Sequence, residues 1–406
     1  MDELPLRILQ ICNKPPYPPI DGGCLAMNVL SKGLIQKKQN LKILSMASEK
    51  HPVQKLSEDY IVETKFEAVD LDLRIRPIPA FLNLFTSSSY LMQRFLSDEF
   101  ASKLEGILKE NTFDIIQIET IYPALYIATI RKYSNAKIVI RAHNVEHYIW
   151  KRMSQTQANF FKRKYYALLA KRLKKEELAI LNSVDGILPI TQKDATIFKK
   201  LGVKPPLLTL PFALSDNLLP VETMPEVPSL FYIGAMNWLP NQEGLHWFLE
   251  NVWMNINMIY PDLKFYIAGR SMPDWLANIK LPNVIILGEI EDVKLFFASK
   301  QVMIVPVLSG SGVRVKIIEG MTAAKMVITS TIGAEGIDYT DRKNIWIAET
   351  PLDYLNAVVA IVENPAIAEQ IGQEARKLIL EQHDSEVVLA TLLNFYHQLL
   401  SSTVDR

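Results

Sequence analysis

Cysteine is nearly absent from this chain, whose 406 residues include only Cys12 and Cys24. Neither belongs to a Cys-x-x-Cys or a Cys/His pattern. This usage argues against a disulfide framework and a zinc site, and it fits a reducing compartment. Cys12 ends the mostly apolar run Ile8–Cys12 and is expected to be a small core residue.

Net charge is absent as well, because 44 Lys and Arg balance 44 Asp and Glu. A nucleic-acid binder of this size is usually more basic, so charge gives no support to a nucleic-acid partner. The longest apolar runs, such as Val302–Leu308, fall far short of the roughly 20 residues that span a membrane. No basic segment precedes the first apolar run, so a secretory signal is not expected. These absences predict a cytoplasmic protein, attached at most peripherally to the inner face of the membrane.

Short β-branched runs alternate with helical patterns, and the alternation stops and restarts near the Pro-rich passage that begins at Gly202. This rhythm predicts an α/β protein with two doubly wound parallel sheets in series. The predicted domains are residues 1–203, 204–382 and a final helical segment, 383–406. The runs expected to be strands are 7–12, 41–47, 114–118, 137–143 and 184–190 in the first half, and 229–235, 263–269, 283–288, 302–307, 326–330 and 344–348 in the second.

The densest motif lies between Val305 and Ile337, VPVLSGSGVRVKIIEGMTAAKMVITSTIGAEGI. A strand ends there, Gly310–Gly312 turns the chain, and a helix is expected to begin near Val313. Backbone N–H groups at such a turn can bind an anion such as a nucleotide diphosphate. Arg314 could reach the phosphates. Glu319 stands where a carboxylate could accept hydrogen bonds from both ribose hydroxyls.

A second glycine pair, Gly22-Gly23, follows the Pro-rich loop that begins at Pro15 and stands just before a predicted helix. Glycines allow a ligand to approach the backbone, and a helix N-terminus offers free N–H groups. A tight strand-to-helix turn with no ligand is the alternative.

The segment RAHNVEHYIW, residues 141–150, places His143 at the carboxyl edge of the first predicted sheet. His143, Glu146 and His147 could share one face of a helix. The spacing also matches the inverted zinc-protease pattern. A polar cluster that faces the ligand is favoured over a metal site, and ordinary helix capping is the third alternative.

Between Lys151 and Lys175 the chain has nine Lys or Arg and no Asp or Glu, with aromatic and leucine residues interleaved. A basic helix with an aromatic face can lie on an anionic membrane surface. The alternative is a solvated helix that packs its apolar side into the domain.

At these residues the chain resembles the retaining nucleotide-sugar glycosyltransferases of the family-4 type. The likeness covers Gly22-Gly23, DIIQIE before KIVIRAHNVEH, ILPITQKD and, most specifically, the block from Gly310 to Ile337. It implies the GT-B fold, with two Rossmann-like domains that face each other across a cleft, acceptor binding in the first and donor binding in the second. It also implies that His143 contacts the donor sugar, that the last helix returns to the first domain, and that transfer retains anomeric configuration without a cofactor or metal.

The chain departs from that family pattern at two places. Ser311 stands where the family usually has the first of two glutamates, and Gly234–Gly244 lacks the usual Arg and Lys. Arg314 and Lys316, or less directly Arg270, could supply the missing positive charge. The catalytic candidates are His143 and Glu319, no metal ligand is predicted, and the donor-binding candidates are Gly22, Gly23, Asn237, Arg270, Gly310, Ser311, Gly312, Val313, Arg314, Lys316 and Glu319.

The expected function is transfer of a hexosyl unit from a nucleotide sugar to a glycan or lipid-linked acceptor, in bacterial cell-surface polysaccharide synthesis. Residues 151–175 are the expected contact with an anionic membrane surface. The two departures support an alternative, a non-catalytic GT-B subunit that binds nucleotide sugar. A nucleotide-sugar 2-epimerase is a further alternative on the same fold.

Overall fold

The computed structural model describes residues 4–402 except 84, 87, 215–224 and 310–311. The chain divides into two compact units. The first comprises residues 1–213 together with 385–406, and the second comprises 214–384. Each is an α/β unit built on its own six-stranded sheet, and every strand pair is parallel.

The sheet of the first unit has the order β3-β2-β1-β4-β5-β6. Its strands are β1 Arg7–Cys12, β2 Asn40–Ala47, β3 Glu67–Asp70, β4 Ile115–Glu119, β5 Lys137–Ala142 and β6 Gly186–Pro189. Alternate residues of β1 enter opposite cores, with Leu9 and Ile11 on one face and Ile8 and Cys12 on the other. Both faces are therefore covered, which is why these strands are nearly continuous apolar runs.

Helices connect these strands and cover the sheet. They are α1 Gly22–Gln36, α2 Glu58–Thr64, α3 Pro77–Asn83, α4 Tyr90–Gln93, α5 Asp98–Glu110, a 3-10 turn Pro123–Tyr126, α6 Ile127–Tyr133, α7 Glu146–Thr156, α8 Phe160–Leu181 and α9 Gln192–Lys200. Within the described residues, no helix of the chain is both long enough and apolar enough to cross a membrane.

The sheet of the second unit has the order β12-β11-β10-β7-β8-β9. Its strands are β7 Ser229–Ile233, β8 Lys264–Ala268, β9 Val284–Gly288, β10 Val302–Val305, β11 Met326–Thr329 and β12 Trp346–Ile347. Its helices are α10 Leu239–Phe248, which continues through a π-helical turn Leu249–Trp253 into α11 Met254–Ile259, then α12 Asp274–Ala277, α13 Val293–Ser299, α14 Val315–Thr322, α15 Pro351–Glu363 and α16 Ala366–His383.

The last helix, α17 Ser385–Ser401, belongs to the first unit although it follows the second in sequence. Two glycines allow its close approach. A Cβ added at Gly33 of α1 would lie 2.3 Å from Leu389 Cδ1, and one added at Gly186 of β6 would lie 2.9 Å from the ring of Phe395. Val388, Leu392 and Tyr396 complete the same core as β1 and α1.

The prediction of two doubly wound parallel sheets in series is confirmed. Each predicted apolar run overlaps an observed strand, and six of the eleven strands are shorter than predicted by one or two residues, but β3 was missed. Gly22 and Gly23 were expected before a helix and instead form its first two residues. The helix expected near Val313 begins at Val315, and the basic segment 151–175 is divided between α7 and α8.

Candidate functional site

Both sheets change direction of strand order at one place, between β1 and β4 in the first unit and between β7 and β10 in the second. Ligands of doubly wound sheets bind outside the carboxyl ends of the strands at such switch points. In the second unit these ends are followed by Gly234 and by the loop that leads from Val305 to α14. This edge is where a donor would be expected to bind.

Lys316 lies in a polar cluster at this edge of the sheet. Its ammonium donates to the Tyr232 hydroxyl at 2.8 Å and to Asn241 Oδ1 at 2.6 Å, and it lies 4.4 Å from the centroid of the Tyr232 ring. A Cβ added at Gly234 would lie only 3.2 Å from Lys316 Nζ. We call Tyr232, Asn241 and Lys316 the lysine cluster. It places a cation beside the backbone that follows β7, where the sequence itself supplies none.

Burial has a strong effect on the protonation of Lys316. Burial, and to a smaller extent the neighbouring Arg314 guanidinium, lowers the pKa of Lys316 to about 7, against the opposing influence of Glu319. An anion that binds here would restore the charge by raising this pKa. Lys316 is therefore only partly protonated at pH 7, and a bound anion would favour its charged form.

Arg314 is buried and stands just before α14, at its N-cap position. Its guanidinium lies 5.3 Å from the centroid of the Trp238 ring and donates to the carbonyl oxygen of Gly312. Two residues that are two apart in a helix point in different directions. Arg314 precedes the helix, so this restriction does not apply to Arg314 and Lys316. The two predicted cations, Arg314 and Lys316, are thus close enough for the charge of Arg314 to lower the pKa of Lys316.

Glu319 lies in the second turn of α14. Burial raises the pKa of its carboxyl group, and the Lys316 ammonium lowers it in part. No described residue hydrogen-bonds or ion-pairs with this carboxylate, so its acceptor capacity is available to a ligand.

The backbone after β7 lies directly against the backbone after β8. A Cβ added at Gly269 would lie 1.8 Å from the carbonyl oxygen of Gly234, and Gly269 has a φ of +151°. Only glycine fits both conditions. The Met236 N–H donates to the Arg270 carbonyl at 3.0 Å, which ties the two loops together.

Gly310 and Ser311 lie outside the described residues. Gly312 has a φ of +84°, Val313 follows it before the helix, Asn237 is exposed in a turn and Arg270 is half-buried. Their roles stay predictions.

In the first unit, the N-terminus of α1 is already capped by its own carboxylate. Asp21 accepts from the Cys24 N–H at 2.9 Å and pairs with Lys14 at 2.7 Å and His51 at 3.0 Å. Burial would raise the pKa of this carboxyl, but His51 and Lys14 hold the pKa well below its ordinary value. Gly22 and Gly23 therefore stand beside a bound internal anion, and their donor-binding role stays a prediction.

His143 and His147 contact different carboxylates. His143 Nε2 lies 2.7 Å from Glu119 Oε2, whereas His147 Nδ1 lies 2.5 Å from Glu177 Oε2. His143 precedes α7, so the three residues of the His-x-x-Glu-His pattern do not share a helical face. In the described parts of the chain no three His, Cys, Asp or Glu side chains form a group that could hold a metal ion.

Glu146 and Glu177 form a buried acidic pair near that second histidine. Glu177 accepts from the backbone N–H groups of Glu146 and His147 and so caps α7, while Tyr122 donates to Glu146 at 2.8 Å. Burial and then the charge of Glu177 raise the pKa of Glu146 to about 7. Helix capping, one of the alternatives considered for this motif, therefore occurs through Glu177.

The basic segment presents its aromatic residues unevenly. Phe160 and Phe161 are 52% and 81% exposed at the start of α8, beside exposed Lys162–Lys164, while Leu169 and Leu173 are buried against the rest of the unit. The middle of α8 thus packs its apolar side into the unit, as the solvated-helix alternative expects. The beginning of α8 instead exposes two apolar rings among cations.

Several residues of these sites were not singled out from sequence. Tyr232, Trp238 and Asn241 complete the surroundings of Lys316 and Arg314, and Glu119 holds His143. The available signals were an acid at the end of a buried strand and an aromatic and an amide in the otherwise uncharged Gly234–Gly244 passage.

Comparison with known families gives a match in the second unit. Residues 227–364 match the model of the family Glycosyl transferases group 1. They include the lysine cluster, Arg314 and Glu319. The match lies wholly within the second unit, residues 214–384. An uncharacterised 44.6 kDa protein from the cps region of Klebsiella pneumoniae is 22% identical over 302 residues, which cover 72% of this chain and 76% of that protein.

Solved structures extend the likeness to the whole chain. Sucrose-phosphate synthase of Thermosynechococcus elongatus superposes with a TM-score of 0.71 at 14% identity, covering 98% of this chain and all of that one. HepE of Anabaena in complex with UDP gives a TM-score of 0.66 at 12% identity, covering 97% of this chain and all of that one. Two doubly wound units thus follow each other along the chain as in GT-B proteins, and the fold is GT-B.

Proposed function

We propose that this chain transfers a hexosyl unit from a nucleotide sugar to a glycan or lipid-linked acceptor, with retention and without a bound metal. The observation that carries the proposal is the position of Lys316, whose ammonium lies beside Gly234 at the switch point of a group 1 glycosyltransferase domain. HepE of Anabaena binds UDP and glucose in its complex, which supports a nucleotide sugar as donor.

In this proposal, Lys316 and Arg314 neutralise the diphosphate that leaves the sugar. Charge develops on the leaving oxygen in the transition state, and cations fixed in advance stabilise it without reorganisation. Both cations come from the segment before and at the start of α14, in place of the charges that Gly234–Gly244 lacks. Glu319 would accept hydrogen bonds from the ribose, and His143 would contact the sugar.

We also propose polysaccharide synthesis as the setting and the start of α8 as a membrane contact. The relative from the cps region of Klebsiella pneumoniae supports the first. Exposed Phe160 and Phe161 with neighbouring Lys162–Lys164 support the second, since such a surface binds anionic lipid by apolar insertion and charge.

The test is a thermal-shift screen of nucleotides and nucleotide sugars, followed by an assay of sugar transfer and donor hydrolysis. A true ligand at 100 times its Kd stabilises the folded state by about 2.7 kcal/mol. If none shifts the melting temperature, the proposal fails. Binding without turnover on any acceptor would favour the non-catalytic subunit. Exchange between two sugar epimers would favour the epimerase.

A further inference from the structure

Glu119, at the end of β4, is fully buried and surrounded by donors. Its Oε1 accepts from Gln10 Nε2 at 2.8 Å and from Gln117 Nε2 at 2.5 Å. Its Oε2 lies 2.7 Å from His143 Nε2 and 3.8 Å from Arg141 Nη1. Burial would raise the pKa of Glu119, but the Arg141 charge and the His143 hydrogen bond lower it to about 2. Glu119 is therefore a carboxylate.

The two amides must turn their NH2 groups toward Glu119, because an ionised carboxylate only accepts hydrogen bonds. Ser31 donates to Gln10 Oε1 at 2.6 Å, and Tyr396 of α17 donates to Gln117 Oε1. All four of these side chains are fully buried. The network therefore runs from Ser31 on α1 to Tyr396 on the last helix of the chain.

Donor counting then settles the protonation of His143. An ionised carboxylate only accepts hydrogen bonds, so the Nε2 atom that faces Glu119 must carry the proton. Burial lowers the pKa of His143 despite its carboxylate partner, which keeps the ring neutral at pH 7. The other nitrogen, Nδ1, is then an acceptor, and no described residue hydrogen-bonds to it.

We infer that Glu119 is a positioning residue that holds His143 as the Nε2–H tautomer, so that Nδ1 accepts a hydrogen bond from a hydroxyl group of the bound sugar. The identity of that hydroxyl donor rests on the proposed function, whereas the tautomer does not. An imidazole acceptor selects a ligand group that carries a hydrogen, which favours a sugar hydroxyl over a carboxylate or a phosphate oxygen.

His147 provides an internal reference, because it contacts its carboxylate through the other ring nitrogen. It contacts Glu177 through Nδ1, and Glu177 already accepts from two backbone N–H groups. By the same counting, His147 carries its proton on Nδ1. Two histidines only four residues apart are thus expected to be different tautomers.

The test is ¹⁵N NMR of the full chain labelled at histidine, with the two rings assigned through His143→Asn and His147→Asn. The expected spectrum at neutral pH shows His143 protonated on Nε2 and His147 protonated on Nδ1. A proton on Nδ1 of His143 would overturn the inference. This result needs no substrate, so it stands apart from the outcome of any transfer assay.

Glu119→Gln tests the consequence for the reaction. The amide can present either atom to His143, so the ring should become a mixture of tautomers while His147 is unchanged. We expect kcat/KM for donor turnover to fall about tenfold, the value of one hydrogen bond. A mixed-tautomer ring with undiminished turnover would remove the sugar contact from the inference. If the variant does not fold, because Arg141 loses its counter-charge, the wild-type spectrum still decides the tautomer.

Discussion

The ammonium of Lys316 lies 2.8 Å from the hydroxyl of Tyr232, at the carboxyl edge of the second sheet and against the backbone of Gly234. A helix that follows β10 thereby supplies the cation that the loop after β7 lacks. The two elements are adjacent because β7 and β10 pair directly.

Replacing this lysine should weaken donor binding. For Lys316→Met we expect a loss of about 2 kcal/mol, roughly thirtyfold in Kd, because a hydrogen bond to a charged phosphate is removed. Lys316→Arg should retain part of the affinity. Isothermal titration with a nucleotide sugar is the measurement. Lys343→Met is the matched control, since Lys343 is 63% exposed in the same unit. Equal affinity in both methionine variants would exclude Lys316 from the donor site.

Donor affinity should also depend on pH. The pKa of Lys316 is about 7 in the free protein, and a bound diphosphate raises it. Binding therefore takes up a proton above pH 7, and Kd should rise between pH 7 and 8.5 for wild type but not for Lys316→Met. A nucleotide sugar is the right ligand because its diphosphate diester does not titrate in this range.

Glu319→Gln should remove the preference for a ribose. The wild-type carboxylate can accept from two hydroxyls, and hydrogen bonds to a charged group are worth about 1.5–3 kcal/mol. Wild type should bind a ribonucleoside diphosphate more tightly than its 2′,3′-dideoxy analogue, and the variant should bind both alike. A variant that still discriminates as wild type does would place the ribose elsewhere.

Gly244 in α10 should not tolerate a side chain. A Cβ there would lie 1.8 Å from the carbonyl oxygen of Pro306, just after β10, so the backbone must shift. We expect Gly244→Ala to lower the free energy of unfolding by about 1–3 kcal/mol, as overpacking does. Gly106→Ala in α5 meets nothing within 4 Å and should raise it by about 0.5–1 kcal/mol. Urea denaturation compares the two, and a neutral Gly244→Ala would contradict this packing.

Glu146 should make stability fall as pH rises. Its pKa is about 7 in the folded protein, against an ordinary value of 4.5. The folded state thus binds the extra proton, and the stabilisation is lost as pH rises through 7. Glu146→Gln should be more stable than wild type at pH 8, by on the order of 2 kcal/mol, and similar at pH 5. The exposed Glu110→Gln is the control. Parallel pH profiles for wild type and Glu146→Gln would refute the assignment.

The start of α8 should bind vesicles that contain anionic lipid. Neutralising Lys162, Arg163 and Lys164 to Gln should weaken binding by roughly 3 kcal/mol at low salt, at about 1 kcal/mol per charge. The matched control neutralises Lys171, Lys174 and Lys175, which are exposed farther along the same helix. Sedimentation that is indifferent to lipid charge, or equally reduced in both triple variants, would count against this surface.

The strands were predictable because both faces of each sheet are covered, which makes runs such as Arg7–Cys12 almost wholly apolar. β3 was not, since this edge strand reads EAVD and only Val69 in it is buried. β3 therefore lacks the apolar run by which the other strands, including the edge strands β6, β9 and β12, were recognised. The start of α14 was displaced by two residues because no Ser, Thr, Asp or Asn caps it, and Arg314 takes the N-cap position instead.

Only those site residues that lie together in one segment of the sequence were predictable. Lys316 and Glu319 lie in a dense motif, but the partners of Lys316 are 84 and 75 residues away, at Tyr232 and Asn241. Glu119 and His143 are separated by 24 residues, one at the end of β4 and the other just after the neighbouring β5. Such pairings depend on the order of the strands in the sheet, which cannot be predicted from the spacing of motifs along the sequence.

The position of α17 has a consequence for how the chain is made. Leu389, Leu392 and Tyr396 complete the core around β1 and α1, yet they are synthesised after the whole of the second unit. The first unit must therefore wait with an open apolar surface until α17 has been made. Chains cut short before residue 385 should be aggregation-prone.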